Sequence, residues 1–273
     1  MAESSRPFPD FDNPPVVETA LGVEFAPLKG WTALHAGLFW NEIRNEYPSA
    51  ETCPPLGSQI ERFDPAGAGL PPQFIEIGPP ARLRYWFVDS AQRRLLQVQD
   101  SRLIVNWRKA EASDPYPRYP ACRNQLVLEW NRFCAHVRRE GLSLPQVVQC
   151  EVTYVNHLLQ GREWSTFSDL ARVIAPWTGK GSDGPLPELD SGTINLRFTM
   201  PNQAGRLHVS VGQGIRFADG KDIIQMSLTA RGAPASSSQE DICRWLDLGR
   251  EWVVRRFVEL TTAEMHKQWR RKA

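Results

Sequence analysis

The feature that most restricts the fold is the order in which the chain's periodicities change. Apolar residues at every second position mark a strand; a spacing of three to four marks a helix. Read this way, the 273 residues run β-α-β-β-β-α twice. The first pass predicts a strand over 16–25, a helix over 31–47 stopped by Pro48, strands over 82–89, 95–99 and 103–108, and a helix over 122–140 capped by Gly141. The second predicts a strand over 147–158, a short helix over 166–175 ended by Pro176, and strands over 193–200, 206–217 and 223–230. A long helix follows from about Ser238, with Ser237 and Glu240 as a capping pair. The links at 90–94, 100–102, 202–205 and 219–220 have hairpin length and chemistry. The expected fold class is α+β: a duplicated β-α-β-β-β-α unit, giving a curved antiparallel sheet with helices on one face. Its halves would be 14–145 and 146–273, after a flexible tail at 1–13.

Each first helix is followed by a loop rich in proline and glycine. The segment 50–81 carries seven prolines and room for one short strand at Phe74–Ile77; the second loop runs from Trp177 to Ser191. Long loops of this kind often carry function, although a variable surface insertion is the plainer reading.

Hydrophobic content of 41% supports a sizeable core, and a net charge of +1 does not support a strong non-specific grip on polyanions. The five cysteines are scattered, with no Cys-x-x-Cys pair, and read as reduced thiols rather than disulfides or metal ligands. No apolar run approaches the roughly 20 residues that span a bilayer, and the first residues lack a signal-peptide core. We therefore expect a cytoplasmic protein without membrane association. No cofactor, metal or catalytic motif is present. Gly212-Gln213-Gly214 has no helix after it, so it reads as a bulge.

Strand parity gives the sharpest functional expectation. Val17, Leu21, Val23, Val105, Trp107 and Val152 should meet the helices, together with Tyr154, Phe198, Val209 and Leu228. The opposite face then carries Gln97, Gln99, Asn106, Arg108, Glu151, Thr153, His157, Asn195, Arg197, Gln225 and Arg231, with Glu18 and Glu24. A half-buried sheet has a wet face in any case. This one is rich in amides, hydroxyls and arginines and has no lysine, which suits directional recognition of a polar partner. The favoured reading is a non-enzymatic binding protein with a protein partner, helped by exposed aromatics such as Trp164 and Trp177. A nucleic-acid binder using the same face is the alternative. An enzyme centred on Glu151 and His157 is a third reading. Six residues along one strand separate those two by about 20 Å, so they cannot act on each other. Trp107, Trp130, Trp245 and Trp252 are expected in the core. Nothing in the sequence specifies an oligomeric state.

Several stretches together are familiar: Asn13-Pro14-Pro15-Val16-Val17-Glu18, Leu38-Phe39-Trp40, Gln97-Val98-Gln99-Asp100-Ser101-Arg102, Asn106-Trp107-Arg108-Lys109, Tyr116-Pro117-Arg118-Tyr119 and Cys150-Glu151-Val152-Thr153-Tyr154-Val155-Asn156-His157. Over nearly the whole chain this resembles a sporadically distributed bacterial and archaeal family known by a numbered family model. The resemblance implies no established activity or catalytic residue. Sporadic families often accompany defence gene clusters, so it implies a place in a defence or toxin-neutralising system by association only. In topology alone, the predicted order is similar to the duplicated fold of the TATA-binding protein.

Overall fold

The alternating segments pair, and their register decides which side chains share a face. The computed structural model describes residues 7–63, 83–177, 191–216 and 219–272. Among these, nine strands form one antiparallel sheet: β1 (Val16–Phe25), β2 (Ser49–Cys53), β3 (Arg84–Val88), β4 (Arg94–Gln99), β5 (Arg102–Arg108), β6 (Val147–Leu159), β7 (Thr193–Thr199), β8 (Arg206–Arg216) and β9 (Lys221–Gly232). The helices are α1 (Ala33–Ile43), α2 (Tyr119–Arg139), α3 (Leu170–Val173), α4 (Gln239–Leu260) and α5 (Ala263–Gln268). The strand order is β2-β3-β4-β5-β1-β6-β9-β8-β7. Outward from the central β1–β6 pair, β5-β4-β3 lies on one side and β9-β8-β7 on the other, with β2 added at one edge. The protein is thus α+β, and the correspondence of its two sides is one of connectivity.

Two long helices cover one face. α2 packs on β1 and β5, and α4 packs on β6 and β9. Leu126, Trp130, Phe133 and Val137 from α2 are buried against strand residues such as Leu21, Val23 and Val105. From α4, Ile242, Trp245, Leu246 and Val253 do the same against Val152 and Leu228. α1 reaches this core through Phe39, whose ring lies 5.6 Å from that of Phe133. Because α1 covers an edge, its buried stripe is narrow. Ala36, Phe39 and Ile43 are buried, while Leu34 and Leu38 stay exposed. At Gly232 the sheet meets the turn before β8 so closely that a Cβ would overlap the Ala204 carbonyl and lie 2.8 Å from the Trp245 ring. Glycine is required there for space.

Several expectations are corrected by tertiary contacts. Residues 8–13 are not a loose tail. Phe11 is buried, stacked edge-on with Phe257 and Trp269, and the backbone of Asp12 and Asn13 bonds to Arg270 and Trp269. A register shift between Val16 and Glu18 turns Val16 into the core in place of Val17. The predicted helix at 166–175 is a 3-10 turn followed by the four-residue α3. The cap of α4 is Ser238, whose hydroxyl accepts from the Asp241 N–H, while Ser237 accepts from the Val147 N–H of the neighbouring strand. Trp252 is half-buried under Arg256. Trp164, expected at the surface, is buried and donates to the Leu158 carbonyl at 2.9 Å; Trp177 is half-buried. β2 has mostly exposed side chains and no apolar alternation, so sequence patterning missed it. The proposed strand at Phe74–Ile77 and most of the loop at 177–191 lie outside the described residues.

Candidate functional site

The polar face exists as parity requires. Register places Glu18 opposite Arg108, Glu151 opposite Arg231, Thr153 opposite Thr229, His157 opposite Gln225, and Arg197 opposite His208. Since cross-strand partners share a face, these residues lie on the side away from α2 and α4. Gln97, Gln99, Asn106 and Asn195 share that parity.

The face is not uniformly open. After β2 the chain turns back and crosses it. The Gln99 side chain accepts from the Leu56 N–H at 3.0 Å and donates to the Leu56 carbonyl at 3.1 Å. Ser58 donates to Glu24 at 2.6 Å, and Arg102 pairs with the other oxygen of that carboxylate at 2.6 Å. Gln149 accepts from the Glu61 N–H at 2.9 Å and donates to the Gln59 carbonyl at 3.1 Å. Glu61 then pairs with Arg206 at 2.9 Å and His208 at 2.5 Å, and Arg206 stacks over Phe63. Residues 56–63 are therefore a strap running from β4 to β8 across one end of the sheet. Gln99, expected to bind a partner, holds this strap.

Next to the strap lies a relay of side chains. Arg84 and the Trp86 indole both donate to the Gln97 carbonyl oxygen, at 2.8 and 3.1 Å. Gln97 in turn donates to Asn106 at 2.8 Å, and Asn106 to Glu18 at 2.5 Å. The guanidiniums of Arg84 and Arg108 lie 5.2 and 5.5 Å from the Trp86 ring centre. Glu151 and Arg231 form an ion pair in the middle of the sheet, and Thr153 donates to Glu151. These two serve each other. Glu151 and His157 are not brought together, so the enzyme reading gains no dyad.

At the end opposite the strap the face opens into a cleft of about 970 Å³. Glu18, Arg108, His157, Gln225 and Arg216 line it. Burial pushes the Glu18 carboxyl above the ordinary carboxylate range, against the opposing Asn106 bond and Arg108 charge. Burial pushes the His157 imidazole down, and Arg216 adds to that, so it is neutral at physiological pH. Its Nδ1 is buried with no hydrogen-bond partner among the described residues. Asn195 and Arg197 lie apart from this cleft, exposed on the outer strand β7.

Sequence reasoning missed the strap and, in its clasp, Gln149, Glu61 and Arg206. Gln149 has the parity of Glu151 and was legible; Glu61 was not, because it sits in a segment without periodicity. Trp86 was legible by parity from Phe87 within the predicted strand.

The chain matches no family model and no curated protein. Among the described residues, no helix is long and apolar enough to cross a membrane.

Proposed function

We propose that this is a polypeptide-binding protein whose polar sheet face receives an extended segment of a partner protein. The observation that carries this reading is the strap. Gln99 and Gln149 each grip backbone N–H and C=O groups of an extended stretch of the chain's own polypeptide. Amide contacts to main-chain groups are indifferent to side-chain identity, and pockets beside them supply selectivity. The open half of the same face offers the exposed amides of Gln225 and Asn195, and adds Arg108 and Arg197 for carboxylates. The cleft at Glu18, Arg108 and His157 would take the partner's side chains.

The test is to pan the full chain against a displayed library of unstructured peptides and measure the selected sequences in solution. Binding should be lost on Arg108→Ala and on Gln225→Ala, and should vary little with salt. Failure to select any peptide, or selection insensitive to both variants, rejects the reading. Tight binding of a single-stranded oligonucleotide, with affinity falling steeply with salt, would instead establish the nucleic-acid alternative.

A further inference from the structure

On the helix side of the sheet, a cavity of about 330 Å³ lies under residues 8–14, sharing Pro14, Val16 and Tyr116 with the lining of the polar cleft. Val16, Leu228, Val253 and Phe257 form buried apolar walls. The polar groups converge at one end. Tyr116 donates to the Tyr154 hydroxyl at 2.8 Å, and Arg250 reaches the same hydroxyl. The Arg250 guanidinium is sandwiched between Phe8, 3.8 Å from its ring centre, and Tyr119, 5.5 Å away. Its Nε is buried with no hydrogen-bond partner among the described residues.

The balance of charge on this wall is positive. Asp10 also lines the cavity, but its carboxylate is held by Arg118 at 2.5 Å and by Lys272 at 2.9 Å. Arg118 precedes α2 with φ of 72°, a left-handed conformation unusual for a side chain of this size, and also donates to the Phe11 carbonyl. The N-terminal segment is thereby clamped over the cavity at the expense of local backbone strain.

We propose that this cavity binds a small organic carboxylate with a compact apolar body, its carboxylate seated on Arg250 and the Tyr154 hydroxyl, whose own proton is left free because it accepts from Tyr116. A guanidinium offers forked donors that match a carboxylate. Burial pushes the Tyr154 phenol up to about 12 and Tyr116 further, so both stay protonated at neutral pH: Tyr116 donates to Tyr154, and Tyr154 is free to donate to the ligand. A cationic ligand would face Arg250 across a poorly screened space, and a wholly apolar one would leave its Nε without a partner. The volume falls in the range of pockets that enclose small ligands.

Calorimetry on the full chain with octanoate and indole-3-acetate, against methyl octanoate and indole-3-acetamide, tests this. At least one carboxylate should bind at least tenfold more tightly than its neutral counterpart. Arg250→Met should erase that preference. Val254→Phe, which projects a ring from the cavity wall, should abolish binding without lowering the melting temperature. The proposal is overturned if neither carboxylate outbinds its neutral counterpart, if the preference survives Arg250→Met, or if binding survives Val254→Phe.

Discussion

The side-chain amide of Gln99 binds both backbone groups of Leu56, accepting from its N–H at 3.0 Å and donating to its carbonyl at 3.1 Å. One side chain of β4 thus does for the strap what a neighbouring strand would do in a sheet. The bond pair is indifferent to what residue stands at 56 and depends on an amide at 99.

Replacing that amide gives a first prediction. Gln99→Leu leaves both Leu56 groups without their partner and should destabilise the chain by about 1–3 kcal/mol, the sum of two modest bonds and the desolvation they offset. Gln99→Glu should cost a similar amount, because a carboxylate accepts from the N–H but repels the carbonyl. Urea unfolding measures the loss, and limited proteolysis should show cleavage within 54–63 in both variants.

The far end of the strap should respond to acid. Burial alone would raise the Glu61 carboxyl, but the bonds and charges of His208 and Arg206 outweigh it and hold the group below the ordinary glutamate value. A depressed folded value contributes stability that is present above the unfolded value and lost as pH falls through the folded one. Protection from hydrogen exchange in residues 58–63, taken relative to the intrinsic rate at each pH, should therefore be high at pH 7 and fall below about pH 4, the region of the ordinary glutamate value and beneath. In Glu61→Gln exchange should be faster at pH 7 and this acid dependence should disappear.

Docking of the N-terminal segment predicts a large effect at Phe11. Its ring is buried against Phe257, at 5.8 Å, and Trp269, at 6.2 Å. Truncating such an aromatic costs about 3–5 kcal/mol. Phe11→Ala should lower the melting temperature sharply, and deleting residues 1–12 should do at least as much.

The pairing of Glu18 with Arg108 across β1 and β5 predicts a pH-dependent penalty. Glu18 already titrates above the ordinary range, so the native state binds its proton more readily than the unfolded chain. Stability from this site falls as pH rises through that interval. Arg108→Ala removes the cation that lowers the group and widens the interval upward. Its destabilisation should be larger at pH 7 than at pH 4. Adding Glu18→Gln should remove that difference, as read from denaturant midpoints at the two pH values.

Parity by itself decided which residues share the polar face, because side chains alternate with a period of two whatever the neighbours are. Arg108 and Arg197 could thus be placed on one side of the sheet from Trp107 and Phe198 alone. Apolar spacing in the same way selected the buried sides of α2 and α4. What parity cannot contain is contact between distant segments. The strap has no periodicity, since its backbone is satisfied by side chains of β4 and β6 rather than by a neighbouring strand. Phe11 looked like a tail residue because its partners lie some 250 positions away, at Phe257 and Trp269. Even the one-residue error at Val16 and Val17 came from a bulge set by pairing with β6. The tertiary structure therefore divided the polar face into a strapped end and an open one, and assembled the Arg250 cavity from residues 8–14, the start of α2, the sheet and α4. Local sequence specifies which way a side chain points; only the packing of remote segments specifies what it meets there.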